Sequence, residues 1–367
     1  MKIIFILMFL FIIIAPFIYF LYIFRHLSKI TKISAAGITI FSLITIMIKL
    51  FVHPYSLTFL ILTTIVQFYI ITVFIIFILF GIYQLICYCF HKPFVYKTIS
   101  VLIIFSILLT GISYLTHYTK VETNYEVTIH KDTTLKQLHI GMISDVHLGT
   151  GTSLSDLRTL VDKFNQKQYD LVCFVGDIFD ESTPKDMIED ALSIFSQINT
   201  TYGLFAVNGN HEHYANILQT ELYQKYNIHH LSENYVCVDG LFNIVGREDI
   251  VAHLDNIMNN ICQGMNTNLP TILLDHNPKR YQDALNYADL QLSGHTHAGQ
   301  FFPVTLLTAP LYDNVYGLLQ KNHFSLIVTS GYGSWGFPMR FLTNCEFVDI
   351  KIAFTKKSYL LYTFSDK

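Results

Sequence analysis

The sequence predicts an N-terminal α-helical transmembrane bundle of about four spans, residues 1–120, followed by a C-terminal α/β domain, residues 121–367. Three observations support this fold class. Residues 1–120 are almost continuously apolar. They contain 8 of the chain's 24 Lys and Arg residues and none of its 27 Asp and Glu residues. From residue 121 onward, short β-rich runs alternate with polar, helix-like stretches, a pattern typical of α/β domains.

Four apolar runs in the first part are each long enough to cross a bilayer, which takes about 20 helical residues. We place the spans at residues 3–24, 33–52, 57–79 and 99–118. The third run continues to residue 90, and only Gly81 offers a turn there, so we favour one span with an interfacial extension over a tight hairpin. Four such runs without a carboxylate disfavour both buried helices of a soluble core and a cleaved signal peptide.

The basic residues between the spans predict the orientation. Loops after the first and third spans carry five Lys and Arg residues, and the opposite face carries three. The positive-inside rule then makes the first face cytoplasmic and the C-terminal domain extracytoplasmic, although a hidden fifth span would reverse the orientation. Because the spans contain no carboxylate, the bundle is interpreted as an anchor in the cell membrane rather than a transport route.

The second part contains recognisable strands and helices. The predicted strands are 137–144, 171–176, 203–208, 271–274, 289–293 and 325–330, and the predicted helices are 153–168, 185–199 and 214–226. This part holds 16 basic and 27 acidic residues, a formal charge near −11. Such a charge disfavours nucleic acid as a partner, whereas bound divalent metal ions would offset part of it.

Five short polar segments each follow an apolar strand run. They are Asp145-Val-His147, Gly176-Asp177-Ile-Phe-Asp180, Gly209-Asn210-His211-Glu212, His276, and Gly294-His295-Thr-His297. Loops at strand ends can bring distant side chains together on a rigid scaffold. Carboxylate, amide and imidazole ligands suit Mn, Fe or Zn, and a set without thiolates argues against a structural zinc site.

Each segment alone is weak support for a metal site. An Asp-x-His pair is usually a surface turn and a Gly-Asn pair a tight turn. The Gly294-His-Thr-His297 segment is sharper, since two imidazoles beside a glycine have little packing rationale. All five segments in order favour a metal site with positions open to water and substrate.

Together the five segments resemble the signature of the calcineurin-like metallophosphoesterases, over roughly residues 138–352. The residues around Gly294–Gln300, with Pro303 following, are most similar to the bacterial membrane-associated branch, which is similar to phosphodiesterases related to UDP-2,3-diacylglucosamine hydrolase. This resemblance implies two packed mixed β-sheets flanked by helices, an αββα sandwich. No position of the family's metal-ligand set is altered here.

The resemblance also implies a role for each residue of the segments. A first metal ion would be bound by Asp145, His147, Asp177 and His297, and a second by Asp177, Asn210, His276 and His295. Two divalent ions are implied, with Mn favoured and Fe or Zn as alternatives, and a hydroxide bridging them would attack phosphorus in line. His211 is similar to the family's proton donor, with Asp180 and Glu212 orienting it and the ligands. Arg340 is a candidate contact for substrate phosphate, although a loop arginine is more often solvated or capping.

The function expected from sequence is therefore that of a membrane-anchored metallophosphoesterase. The expected substrate is a phosphodiester or a lipid-linked phosphate or pyrophosphate, with membrane lipids as partners. A metal-dependent nuclease and a non-catalytic membrane sensor or scaffold are the alternatives. The acidic charge disfavours the nuclease, and the intact ligand set disfavours the scaffold.

Overall fold

A computed structural model describes residues 12–19, 21–22, 29–52, 57–93, 95, 97–131, 133–149, 151–217, 220–252, 258–302 and 304–355. The chain divides into two compact units, Met1–Tyr114 and Leu115–Lys367. The predicted boundary at residues 120 and 121 lies close to this division.

Three long helices are described in the N-terminal region: α1 (Lys29–Val52), α2 (Leu57–Cys89) and α3 (Lys97–Tyr118). Helix α2 runs through Gly81 without a break, so the long third run forms one helix and not a hairpin. Within the described residues, Ile61–Cys89 and Lys97–Tyr118 are long and apolar enough to cross a membrane, whereas the apolar stretch Ala35–Ile46 is shorter. The four predicted spans are therefore not confirmed, and most of the first one, residues 3–24, lies outside the described residues.

The second unit begins with the last turn of α3 and contains twelve described strands. They are β1 (Lys120–Ile129), β2 (Gln137–Ile143), β3 (Leu171–Val175), β4 (Leu204–Val207), β5 (Ile228–His230), β6 (Asn234–Val238), β7 (Phe242–Arg247), β8 (Thr271–Asp275), β9 (Leu290–Ser293), β10 (Gly317–Lys321), β11 (Phe324–Val328) and β12 (Cys345–Phe354). They form two six-stranded mixed sheets, ordered β1-β12-β2-β3-β4-β5 and β10-β11-β9-β8-β7-β6. In each sheet four neighbouring strands are parallel: β2 to β5 in the first, and β7, β8, β9 and β11 in the second.

The helices of this unit lie between the strands in sequence. They are α4 (Leu154–Lys167), α5 (Lys185–Phe195), α6 (Asn210–Ala215), α7 (Thr220–Lys225), α8 (Met258–Ile261), α9 (Tyr281–Ala284) and α10 (Val304–Thr308). Helix α4 begins at a capping box in which Ser153 and Asp156 satisfy each other's backbone N–H groups, and it ends where Gln168 turns left-handed. The apolar faces of α4 and α5 pack on the first sheet.

Three apolar layers hold the domain together. A central core between the sheets contains Ile140 and Val175 from one and Leu274 and Leu292 from the other. A second layer joins the first sheet to its helices, and a third joins the second sheet to α8 and α9. This arrangement confirms two packed mixed sheets flanked by helices.

The six predicted strands correspond to β2, β3, β4, β8, β9 and β11 with small differences at their ends. The predicted helix 214–226 is wrong in its bounds. Its first part, α6, begins at Asn210 and ends at Ala215, because Asn216 adopts a left-handed conformation (φ 55°, ψ 43°) that stops the helix. Residues 220–225 then form the separate helix α7.

Candidate functional site

The five polar segments lie at the carboxyl ends of five parallel strands. Those after β2, β3 and β4 come from the first sheet, and those after β8 and β9 from the second. Loops at the carboxyl ends of parallel strands are where α/β sheets form their ligand sites. The packing of the two sheets brings the five loops together, as the distances below show.

Five of the seven predicted ligands have a left-handed backbone. Their φ values are 53° for Asp145, 46° for His147, 53° for Asp177, 72° for His295 and 50° for His297. A non-glycine residue in this region is uncommon, and such strain concentrates at functional sites. In the loops after β2, β3 and β9 the backbone therefore turns sharply just after the strand.

One group of side chains comprises Asp145, His147 and His297, all buried, with possible ligand atoms within 4.8 Å of one another. The Nε2 atoms of His147 and His297 are 3.2 Å apart. His297 Nε2 is also 3.3 Å from the Asp145 carboxylate. The three side chains therefore converge on one point, two from the first loop, after β2, and one from the fifth loop, after β9.

A second group comprises Asp177, His276 and His295, again with possible ligand atoms within 4.8 Å. His276 Nε2 is 3.0 Å from Asp177 Oδ2. The same carboxylate oxygen is 4.0 Å from His147 Nε2, so Asp177 lies between the two groups. Asn210 Oδ1 accepts a hydrogen bond from His295 Nδ1 at 2.7 Å, which places the amide oxygen at the second group.

The tautomer of His276 shows that a cation fits this position. Its Nδ1 donates to the Val175 carbonyl at 2.7 Å, so neutral His276 carries its lone pair on Nε2. That Nε2 is buried and has no hydrogen-bond partner among the described residues, yet it faces a carboxylate. Two facing acceptors repel each other unless a proton or a metal ion lies between them. Carboxylate and imidazole are suitable donors for a divalent metal ion.

The charges of the site act on its own titrating groups. Burial raises the pKa of Asp177, but the histidines His276, His211 and His147 outweigh it, and the pKa lies well below its ordinary value. Burial, Arg340 and His147 together hold the pKa of His297 well below its ordinary value. His297 is therefore neutral and Asp177 ionised at pH 7, which are the forms that bind metal ions.

His211 lies beside both groups on the first turn of α6. Its Nδ1 is 2.7 Å from the Glu181 carboxylate, and its backbone N–H donates to Asp177 Oδ1 at 2.8 Å. Burial lowers the pKa of His211. The carboxylates of Asp177, Glu181 and Asp180 raise it by more than burial lowers it, to about 9. The ring is therefore charged near neutral pH and can donate a proton.

The expected role of Asp180 in orienting His211 needs correction. The hydrogen bond of Asp180 Oδ2 is to His147 Nδ1 at 3.3 Å, while its other oxygen accepts from Ser182. The carboxylate hydrogen-bonded to His211 is that of Glu181, one residue further on. A turn at residues 180–183 makes the side chains of Asp180 and Glu181 point in different directions. The sequence alone does not indicate which of the two carboxylates reaches His211.

Glu212 is fully buried and acts on the loops. Its carboxylate accepts the backbone N–H groups of Asp177, Phe179 and Gly209 at 2.8 to 2.9 Å. It thereby ties the loop after β3 to the loop after β4. Burial and the neighbouring Asp177 raise the pKa of Glu212 to about 7.

Arg340 does not face an open pocket, contrary to the suggestion that it contacts substrate. Its side chain is fully buried. Nη1 donates to the His297 carbonyl at 2.8 Å, Nη2 to the carbonyls of Ser330 and Gly333 at 2.6 Å each, and Nε to Ser334 Oγ at 3.1 Å. Nη2 also lies 3.1 Å from His297 Nδ1. The guanidinium therefore holds the loop that carries His297.

Two close approaches were not anticipated from the sequence. A Cβ at Gly294 would overlap Ser144 and the Asp145 carboxylate, and a Cβ at Gly209 would overlap the Asp177 carboxylate. Only glycine lets these backbones lie so close to the predicted ligands. The sequence signal for these close approaches is the glycine that directly precedes His295 in the last segment and Asn210 in the third.

Asp249, which belongs to none of the five segments, lies buried near the second group. Its Oδ2 has no hydrogen-bond partner among the described residues. Its charge contributes to raising the pKa of His276. Nearby Asp275 pairs instead with buried Arg247 at 2.5 Å.

Known proteins that are similar to this chain include several metallophosphoesterases. The family model of the calcineurin-like phosphoesterases matches residues 138–299. The chain is 34% identical over 235 residues to an uncharacterized metallophosphoesterase of Helicobacter pylori, covering 62% of this chain and 63% of that protein. It is 30% identical to the uncharacterized metallophosphoesterase YkuE of Bacillus subtilis, covering 60% and 79%. It is also 30% identical to a transmembrane protein with metallophosphoesterase domain of Danio rerio, covering 59% and 53%. The match thus spans about three fifths of the length of the first of these relatives.

Proposed function

Because the chain belongs to the calcineurin-like phosphoesterase family, we propose that it hydrolyses a phosphate ester at a membrane with two divalent metal ions. One observation carries the proposal: two groups of buried ligand atoms lie on either side of the Asp177 carboxylate. A carboxylate placed between two such groups suits a bridging ligand. The ions, when bound, would polarise a water molecule and stabilise the charge that develops on the phosphoryl oxygens.

The ligand set divides into two parts around Asp177. Asp145, His147 and His297 would hold the first ion, while Asn210, His276 and His295 would hold the second. Mixed oxygen and nitrogen donors without thiolate favour Mn, with Fe or Zn as alternatives. The Asp180 carboxylate would support the first ion through His147 Nδ1, because a partner on one ring nitrogen fixes which nitrogen is free to bind.

His211 is the residue that would protonate the leaving oxygen. In the charged ring both nitrogens carry a proton. Nδ1 donates to Glu181, so the proton on Nε2 is the one available to a leaving alkoxide. Burial of His211 next to Asp177 keeps this donor at the two groups of ligands.

The proposed substrate is a phosphodiester or a lipid-linked phosphate or pyrophosphate. The two apolar helices suited to crossing a membrane and the transmembrane relative from Danio rerio support work at a bilayer surface. The formal charge near −11 over residues 121–367 disfavours a nucleic acid substrate. The resemblance to the branch related to UDP-2,3-diacylglucosamine hydrolase supports a lipid-linked ester as substrate. This substrate class stays a prediction.

The activity is tested with the full chain, purified in detergent and assayed with Mn²⁺ on bis-p-nitrophenyl phosphate. We expect Asp177→Asn to lower turnover by at least about 100-fold, since removal of even an outer-shell partner costs about 10- to 100-fold. Asp190→Asn, an exposed position on α5, is the matched control and should retain full turnover. Turnover that persists without Mn²⁺ or with Asp177→Asn would contradict the proposal, and elemental analysis counts the bound ions.

We further propose a multi-pass anchor in the cell membrane with the catalytic domain outside the cytoplasm. The excess of basic residues in the loops after the first and third predicted spans supports this orientation. A C-terminal tag in intact cells should then react with a membrane-impermeant reagent. Labelling that requires lysis of the cells would reverse the orientation.

A further inference from the structure

An unusual set of exposed apolar side chains lies on one part of the second unit, Leu115–Lys367, which we call the catalytic unit. Among the described residues after Tyr118, every exposed large hydrophobic side chain lies in 302–316 or 335–342. We call six of them the apolar face: Phe302, Leu306, Leu307, Leu311, Trp335 and Leu342. Leu342 is 75% exposed and Leu307 70%. Contiguous apolar surface of this kind marks an interaction site.

The two segments of the apolar face are joined to each other. Gln300 accepts the backbone N–H of Trp335 at 2.9 Å and donates to its carbonyl at 3.0 Å. The backbone N–H of Phe302 donates to the Phe341 carbonyl at 3.2 Å. The apolar face is therefore one surface and not two separate loops.

The two segments that carry the apolar face contain little charge of their own. Residues 298–312 contain no charged residue, and residues 331–343 contain only Arg340, which is fully buried. A surface that docks on an ordinary soluble partner usually has a polar rim, whereas a surface that lies in a bilayer interface presents apolar and aromatic side chains. Tryptophan in particular is enriched at the membrane interface.

The apolar face also adjoins the last turn of α3. In the catalytic unit, His117 Nδ1 is 2.9 Å from Ser334 Oγ, and Ser334 directly precedes Trp335. His117 Nε2 lies 3.1 Å from the Gly151 carbonyl. Because Lys97–Tyr118 is long and apolar enough to cross a membrane, the apolar face begins where a membrane helix would leave the lipid.

We propose that the apolar face is a lipid-contact surface that lies in the interfacial layer of the bilayer. The ring of Trp335 lies 5.8 Å from that of His211, so this surface reaches the edge of the candidate site. The site then opens next to lipid headgroups. This consequence rests on the proposed function. Among the substrates proposed there, it favours a phosphate ester in a lipid headgroup.

Trp335 is the only tryptophan in the chain and therefore reports on this surface directly. The full chain is placed in phosphatidylcholine nanodiscs whose acyl chains are brominated near the headgroup. We expect a loss of Trp335 emission relative to nanodiscs without bromine. Unquenched emission would overturn the proposal. This result is expected if a second copy of the chain or another helix covers the apolar face.

A double variant tests whether the leucines hold the surface in the lipid. Leu306→Asp with Leu307→Asp should abolish most of the quenching, because buried charge is costly in the interface. Gln166→Asp with Ser193→Asp adds the same two charges at exposed positions on α4 and α5 and should leave quenching unchanged. Equal quenching in the leucine variant would overturn the proposal.

Hydrolysis of soluble bis-p-nitrophenyl phosphate separates this inference from the proposed function. The leucine variant should keep wild-type turnover on this substrate, since neither leucine lies in the candidate site. If wild type lacks turnover but Trp335 is quenched, the proposed function fails and the lipid-contact surface stands. If turnover is normal and quenching is absent, only the lipid-contact surface fails.

Discussion

At the scale of single residues, imidazole nitrogens and carboxylate oxygens of the site are directed at one another. His276 Nε2 faces Asp177 at 3.0 Å, and the Nε2 atoms of His147 and His297 face each other at 3.2 Å. The second ring nitrogen of His276 bonds to a carbonyl, and that of His147 bonds to a carboxylate. In the neutral rings these partners hold the proton on Nδ1, which leaves Nε2 as the nitrogen that would bind a cation.

The first prediction concerns His211 as proton donor. His211→Gln should lower kcat by roughly 10²- to 10⁴-fold on an alkyl phosphodiester, because an alkoxide needs a proton to leave. The loss should be much smaller on bis-p-nitrophenyl phosphate, since nitrophenolate leaves without one. Steady-state kinetics on both substrates measure the difference.

The control for this prediction is His323→Gln, an exposed histidine between β10 and β11 whose Nε2 lies 2.9 Å from the Leu285 carbonyl. It should leave both rates unchanged. Equal losses on the two substrates after His211→Gln would mean that His211 binds metal or substrate and does not donate the proton. Bound manganese measured in each variant separates those two cases.

At the scale of elements, a chain of hydrogen bonds connects the last turn of α3 to a predicted metal ligand. His117 bonds to Ser334, Ser334 accepts from Arg340, and Arg340 donates to the backbone of His297. Burial of the guanidinium makes each of these bonds costly to lose. The loop that follows β9 is therefore held in place by the loop before β12.

The second prediction follows from this chain. Arg340→Lys keeps the positive charge, but one ammonium group cannot reach all the hydrogen-bond partners of the guanidinium. The loop that carries His297 should therefore be held less firmly. We expect the affinity for Mn²⁺ to fall roughly 10- to 100-fold. Activity titrated against Mn²⁺ measures it, with the exposed Arg158→Lys on α4 as the control.

The same titration distinguishes positioning from substrate contact. If Arg340 only positions His297, saturating Mn²⁺ should restore most of kcat and leave KM near the wild-type value. A raised KM at saturating Mn²⁺ would instead place Arg340 at the substrate. Thermal melting of both variants checks that the fold is kept.

At the scale of the whole molecule, the catalytic unit concentrates negative charge around a buried site. Residues 121–367 carry a formal charge near −11, and Asp145, Asp177 and Asp249 are all buried close to the histidines. Bound cations offset this charge, and binding to the folded state alone stabilises it. Metal binding at this site would thereby be coupled to folding of the domain.

The third prediction is that removal of metal lowers the melting temperature of the full chain. Metal at about 100 times its Kd adds about 2.7 kcal/mol to the free energy of unfolding. For a domain of this size each kcal/mol corresponds to about 2–4 °C in Tm. Differential scanning fluorimetry with excess Mn²⁺ or EDTA measures the shift. Asp177→Asn should show little response to either, and a wild-type Tm that is insensitive to EDTA would contradict the prediction.

The sequence by itself determined the family, the alternation of strands and helices, and the five polar segments. These are local properties: apolar runs of four to six residues form buried strands, and a polar segment directly after such a run lies at the sheet edge. The edge strand β1 was missed because its alternating polar residues resemble a linker, and only pairing with β12 makes it a strand.

Only the tertiary structure decided which carboxylate reaches which histidine. Glu181 and Asp180 are adjacent, yet one bonds to His211 and the other to His147, because the direction of each side chain depends on the turn that follows β3. Burial likewise decided the role of Arg340, since the loops after β9 and β11 surround its guanidinium only in the folded domain. Packing between distant segments is a property of the folded chain, and no local pattern encodes it.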